Sequence, residues 1–338
     1  MHCSNYQGDR QREVEHCSGF SPDPSCVTSA SRTRSVTTTQ AQRLAAALPA
    51  RYAFRSEIGR GAAAFVVIAD DLESKTQVAV KILRPEVATI VGEKRFRREV
   101  EILSQLDHPN ILKLVDHGSI ERRSLFLVTP YIVGETLRQR LRREKELAVS
   151  DAVAIARDVA SALDYAHTRG LIHRDIKPAN ILLSDGRVVV ADFGISRWMA
   201  IERYAQITIS GVSLGTPEYM SPEQIGAVGE LDARSDVYAL GCVVYEMLAG
   251  KPPFTGTTRT VFTGHRKELP RPISELRSDI PVKIDAAVIK SLAKLPDSRF
   301  KSAGDFAKAL EAAMGNQSSS KSASSASATS TTTGPAPA

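Results

Sequence analysis

An α+β fold in two lobes is predicted: a small β-rich lobe carrying one helix, then a larger and mainly α-helical lobe. Three observations carry that expectation. Short runs of β-branched and aromatic residues cluster between Tyr52 and Tyr131, where alternation marks strands. One amphipathic segment, Glu93 to Leu106, interrupts them with helical spacing. From Gly134 onward the apolar pattern is helical almost throughout. A chain of 338 residues with 42% hydrophobic content is long and apolar enough to bury a substantial core. The net charge of +6 comes from bases scattered among acids, as in Glu93-Lys94-Arg95-Phe96-Arg97-Arg98-Glu99. That is a solvated helix face rather than a nucleic-acid footprint, so no nucleic-acid partner is expected.

The elements follow in order. Residues 1–48 are rich in Ser, Thr, Arg and Gln and poor in aromatics, so they are expected to be disordered, although Gln40 to Leu48 has some helical pattern before Pro49. The folded unit is placed at 49–314, with the small lobe at about 52–132 and the large lobe at about 133–314. Strands are read at Phe65–Ala69, Val78–Leu83 and Leu125–Val128. Ser150 is read as the N-cap of a helix running to His167, with Gly170 as its stop. A long apolar helix from Asp236 to Leu248 ends at Gly250, ahead of Pro252-Pro253, and holds Cys242 in the core. The Ser/Ala/Thr-rich stretch 315–338 has too little apolar content to pack and is read as a disordered tail.

The 4 cysteines make no disulfide framework in a chain of this length. Cys3, Cys17 and Cys26 match no zinc spacing, although His2-Cys3 and His16-Cys17 have the donor types for a metal. No apolar run approaches the ~20 residues that span a bilayer, and the first residues lack the apolar core of a signal peptide. A cytoplasmic protein without a membrane span is expected.

The densest chemical information lies in His173-Arg174-Asp175-Ile176-Lys177-Pro178-Ala179-Asn180, followed by Asp192-Phe193-Gly194. These residues supply an ammonium, an amide and two carboxylates on two turns joined by short strands. Such a set orients a hydroxyl, neutralises a phosphate and holds a hard cation. It resembles, residue for residue, the catalytic loop and metal-binding motif of protein kinases. Lys177, two residues after Asp175, together with Gly215-Thr216-Pro217-Glu218-Tyr219, resembles the serine/threonine class. Ser221-Pro222-Glu223-Gln224 is similar to the bacterial, eukaryotic-like (Hanks-type) members.

That resemblance implies the bilobal protein kinase fold, ATP and Mg2+ (or Mn2+) as cofactors, and transfer of phosphate to Ser/Thr hydroxyls of protein substrates in signalling. Asp175 is then the residue that orients the substrate hydroxyl, Lys177 the one that neutralises the moving phosphoryl group, and Thr216 the bridge between them. Asn180 and Asp192 are the magnesium ligands. ATP is expected against the glycine-rich loop Ile58-Gly59-Arg60-Gly61-Ala62-Ala63-Ala64-Phe65-Val66, in which small residues let backbone N–H groups approach phosphate. Ala64 stands where the family has a third glycine, which should stiffen the hairpin. Ala79 and Lys81 of Val78-Ala79-Val80-Lys81 continue the site, with Glu99 as the carboxylate that fixes Lys81. Glu99 is preferred to Glu101 because Phe96, Val100 and Leu103 share its helical face.

The adenine edge is expected at Thr129, Pro130 and Ile132. Pro130 keeps the carbonyl that adenine's amino group needs, and Ile132 supplies the N–H. Glu223 is expected to pair with Arg299, and Asp236 to brace the catalytic-loop backbone. Thr208 and Ser210 fall where bacterial relatives autophosphorylate, so activation-loop modification in trans, with a homodimer as its vehicle, is expected. A nucleotide-binding pseudokinase and a small-molecule phosphotransferase are the competing readings. Intact Lys81, Asp175 and Asp192 disfavour the first, and the intact Thr216–Glu223 segment disfavours the second.

Overall fold

The computed structural model describes residues 39–121, 123–193, 217–226 and 231–323. In the small lobe, five strands form an antiparallel sheet in the order β1-β2-β3-β5-β4: β1 Tyr52–Arg60, β2 Ala64–Asp71, β3 Thr76–Leu83, β4 Asp116–Ile120 and β5 Ser124–Pro130. The predicted strands are the central ones. β1 and β4 lie at the edges, where polar residues such as Arg55, Glu57, Asp116 and His117 are tolerated and obscure the alternation.

The period of two decides what each face does. On β3, Val78, Val80 and Ile82 join Tyr52, Phe126 and Val128 in one apolar cluster. Leu83 belongs to a second cluster with Phe96, Val100 and Leu127. Ala79 and Lys81, of the same parity as Leu83, therefore sit on the face that forms the interlobe cleft.

Three helices accompany this sheet, where the sequence placed one in the lobe and gave a helical pattern just ahead of it: α1 Gln40–Ala46, α2 Pro85–Val91 and α3 Glu93–Ser104. α1 starts with a capping box, in which the Thr39 side chain accepts from the Gln42 N–H and Gln42 reaches back to Thr39. Its Ala45, with Leu48 beyond it, is buried in the sheet cluster. Residues ahead of Pro49, where the folded unit was expected to start, thus already pack on the sheet; small alanines can pack closely there without the aromatic signal that usually marks a core. α2 begins with Pro85 at its first turn, a start signal that its seven-residue length leaves easy to overlook. On α3 the buried residues are Phe96, Glu99, Val100 and Leu103, while Glu101 is exposed.

The large lobe comprises α4 Leu137–Glu144, α5 Val149–His167, α6 Pro222–Gly226, α7 Ala233–Ala249, α8 Thr258–Lys267, α9 Val282–Ser291 and α10 Ala303–Ala323. A small sheet in the order β6-β7-β8 (Glu135–Thr136, Ile181–Ser184, Arg187–Val190) underlies the cleft. α5 begins two residues earlier than expected. Ala148 is its N-cap without a side-chain hydrogen bond, and Ser150 lies inside the helix with Asp151 in the first turn. α7 is buried all round and includes Cys242; it ends at Gly250, whose φ of 74° is the left-handed cap foreseen. At Gly241 a Cβ would come within 2.1 Å of Ser291 Oγ, so the glycine permits α7 and α9 to touch. α10 runs on past Met314 to Ala323, because adding residues to a helix anchored by buried Phe306 and Leu310 has a low free-energy cost. Among the described residues, no helix is long and apolar enough to cross a membrane.

Two backbone links join the lobes behind the cleft: Leu112 N–H donates to Val190 O at 2.9 Å, and Val190 N–H donates to Asn110 O at 2.8 Å.

Candidate active site

Between the lobes lies a cavity of about 350 Å³. Of the residues expected to hold ATP, Ile58, Gly59, Val66, Ala79, Lys81, Thr129, Pro130 and Ile132 line it, as does Asp192. Arg60, Gly61, Ala62, Ala63, Ala64, Phe65 and Glu99 do not. Ala63 and Ala64 instead belong to the apolar cluster of α2 and α3, with Val87, Ala88 and Val91. The methyl group in place of a third glycine is thus used in packing. Sequence reasoning missed Leu182, which lines the cavity from β7 while Ile181 turns into the core. Alternation after Asn180 was the available signal.

The catalytic loop is fixed from below by Asp236, at the start of α7. Its carboxylate accepts from His173 N–H at 2.8 Å, Arg174 N–H at 2.7 Å and the His167 ring at 2.8 Å. Burial opposes ionisation of Asp236, but the His167 hydrogen bond, the neighbouring histidines and the Arg174 amide prevail and hold its carboxyl below the usual range. The bracing role expected for this residue is what the structure shows. Arg174 has φ of 67° and Asp192 has φ of 69°, a strained left-handed backbone for non-glycine residues that marks both functional turns. Gln224, whose contact was not foreseen, donates to Arg174 O at 2.8 Å and ties the Ser-Pro-Glu-Gln segment to this loop.

Above that base, Asp175 Oδ2 accepts from Lys177 Nζ at 2.7 Å and from Asn180 Nδ2 at 3.1 Å. Asn180 Nδ2 also donates to Asp175 O at 2.8 Å. With its amide nitrogen engaged there, the Asn180 oxygen is the atom left for a cation. Ala191 N–H donates to Asn180 O at 2.9 Å, which sets the neighbouring Asp192 beside Asn180. One amide oxygen and one carboxylate suit a magnesium ion, which retains waters and phosphate oxygens for the rest of its shell. Phe193 is buried, with its ring edge-on to His173 at 4.5 Å between centroids, and it shares a cluster with Leu103.

One expected contact is absent. Lys81 Nζ pairs with Asp192 Oδ2 at 2.8 Å, not with Glu99. Glu99 is 5% exposed within the buried stripe of α3 and is engaged elsewhere. The left-handed turn at Asp192 delivers its carboxylate to the lysine, and an ammonium pairs with whichever carboxylate reaches contact distance. Burial works against the charge on Asp192, but the Lys81 ammonium outweighs it and lowers its pKa.

Glu223 and Arg299 do pair, through both guanidinium arms at 2.7 and 2.8 Å. Tyr219 and Arg138 both hydrogen-bond Glu246 of α7, anchoring the Pro217–Tyr219 turn. Thr216, Thr208, Ser210 and the cysteines at 3, 17 and 26 lie outside the described residues.

Comparison with known proteins agrees with this geometry. Residues 52–310 match the protein kinase domain family. The chain is 41% identical over 262 residues to the serine/threonine-protein kinase PknB of Mycolicibacterium smegmatis, covering 75% of this chain and 41% of that protein. It is 39% identical over 277 residues to a probable serine/threonine-protein kinase of Streptomyces coelicolor, covering 80% of this chain and 41% of the relative. The chain thus spans well under half the length of these relatives. Among solved structures, the kinase domain of Mycobacterium tuberculosis PknI superposes with a TM-score of 0.63 at 30% identity, over 80% of this chain and 99% of that one. With the family match covering most of its length, the chain belongs to the protein kinase domain family, in its bacterial Hanks-type serine/threonine branch.

Proposed function

We propose that this chain transfers the γ-phosphoryl group of ATP to serine and threonine hydroxyls of protein substrates. The observation that carries the reading is the meeting of Lys81 and Asp192 at 2.8 Å in the cavity that Thr129, Pro130 and Ile132 also line. A triphosphate there would have an ammonium and a cation ligand at its charged end and apolar walls around its base.

In this mechanism Asp175 orients the substrate hydroxyl toward the γ-phosphorus and accepts its hydrogen bond. Lys177, already on the Asp175 carboxylate, offsets charge on the moving phosphoryl group. Asn180 and Asp192 would hold Mg2+, or Mn2+ on the same oxygen donors, which when bound neutralises the phosphate oxygens. Thr216 is assigned, from its place in the Gly215-Thr216-Pro217 motif, the role of bridging Asp175 and Lys177 during transfer. Dependence on ATP agrees with a cytoplasmic site of action.

The test is transfer of label from γ-labelled ATP to a generic basic protein, followed by phosphoamino-acid analysis. Phosphoserine and phosphothreonine that vanish on chelation of the divalent cation are expected; unlabelled protein would overturn the reading. Activation by phosphorylation of Thr208 and Ser210 in trans, within a homodimer, belongs to the same proposal, because Arg174 places positive charge beside Asp175 for a phosphate to neutralise. Phosphopeptide mapping should find both sites. Full activity in Thr208→Ala/Ser210→Ala would end that part.

A further inference from the structure

We propose that Arg84 is a positioning residue for the nucleotide phosphates, acting by turning one peptide group of the glycine-rich loop; this rests on the ATP reading above. Arg84 follows β3 and caps the start of α2. Its Nε and Nη2 both donate to Gly61 O, at 3.2 and 3.1 Å. Its own N–H donates to Ala63 O at 2.8 Å. The guanidinium lies 4.2 Å from the ring centroid of fully buried Phe65, and Nη1 reaches Gln40 Oε1 of α1 at 3.4 Å. One residue therefore holds two carbonyls of the loop tip, with its fork fixed by stacking and by the helix upstream.

In a planar trans peptide the C=O and the following N–H point to opposite sides. Holding Gly61 O toward Arg84 therefore turns the Ala62 N–H away from it. Neither Ala62 nor Ala63 donates to a backbone acceptor among the described residues. Consecutive N–H groups of this kind form an anion-binding concavity. Gly61 is the position where the peptide could most easily turn the other way, since glycine tolerates either orientation. Arg84 removes that freedom from outside the cavity, without itself lining it.

The discriminating experiment measures dissociation constants of the full chain for ATP and for adenosine, which lacks phosphates. Arg84→Met keeps an unbranched side chain over Phe65 but no donor. It is expected to weaken ATP binding about tenfold, the scale of one hydrogen bond to a charged group, with adenosine affinity unchanged. Arg84→Lys, with one ammonium and no fork, should fall between the two. Equal losses for ATP and adenosine would make Arg84 a support of the fold only, and unchanged ATP affinity would remove it from the site. Failure of wild-type protein to bind ATP at all would instead overturn the functional reading beneath it.

Discussion

Asp175→Asn is expected to lower kcat by about 10³-fold, within the range for removing a positioned acid–base group, while ATP affinity stays essentially unchanged. The substitution is close to isosteric. An amide oxygen can still accept from Lys177 Nζ, now 2.7 Å from Asp175 Oδ2, and the Asp236 contacts that hold the loop come from the His173 and Arg174 amides, not from this side chain. Only the negative charge proposed to orient a hydroxyl is lost. Asp175 does not line the cavity, so nucleotide binding should not register the change. Steady-state kinetics with parallel nucleotide titration separate the two quantities. Retained transfer would remove Asp175 from its assigned role.

Arg299→Met is expected to be the most destabilising of the single changes considered. The Arg299 side chain has no exposure, and all five of its N–H donors are used. Two go to Glu223, and the others to Ala293 O at 2.8 Å, Arg234 O at 3.0 Å and Lys294 O at 3.0 Å. Methionine fills similar volume but leaves a largely buried carboxylate unpaired. Breaking such a pair costs about 3–5 kcal/mol, a large part of the ~5–15 kcal/mol that holds a domain folded. Lysine should not rescue it, because an ammonium has neither the fork nor enough donors.

The sign of the pH dependence follows from Glu223. Burial alone would raise its pKa, but the Arg299 bonds lower it below the usual glutamate range. The wild-type pair therefore contributes stability above the unfolded-state pKa of Glu223 and loses it as pH falls through the lower folded value. In Arg299→Met the opposing burial is left unbalanced, so protonation of Glu223 relieves the variant. The melting-temperature deficit should be largest at neutral pH and narrow in acid. Calorimetry across that range checks both magnitude and direction, and a deficit that widens in acid would contradict the assignment.

What was legible in the sequence was what is local. His173 to Asn180 carry their chemistry within eight consecutive positions, and the structure keeps Asp175, Lys177 and Asn180 in mutual contact. Glu99 could be told from Glu101 by helical parity, and it is indeed the buried one. Long-range partners that depend on one geometric option were also legible: Glu223 with Arg299, and Asp236 under the catalytic loop. Where two carboxylates compete for one ammonium, pattern is not enough. Lys81 chose Asp192 because of a backbone turn that no spacing encodes. The same holds for Arg84, which reads as an ordinary strand-end arginine until its reach to Gly61 is seen. The helical pattern of α1 was legible from Gln40 to Leu48, but its packing onto the sheet was not, because its buried surface is alanine and leucine rather than aromatic.

The most direct measurement is a crystal structure of this chain with a non-hydrolysable ATP analogue and Mg2+. The 2.8 Å contact between Lys81 and Asp192 is where the proposed function puts phosphate and cation. The expected result is Lys81 on phosphate oxygens, Asp192 and Asn180 on the cation, and the base against Ala79 and Leu182. A nucleotide seated elsewhere, with the Lys81–Asp192 pair undisturbed, would contradict it.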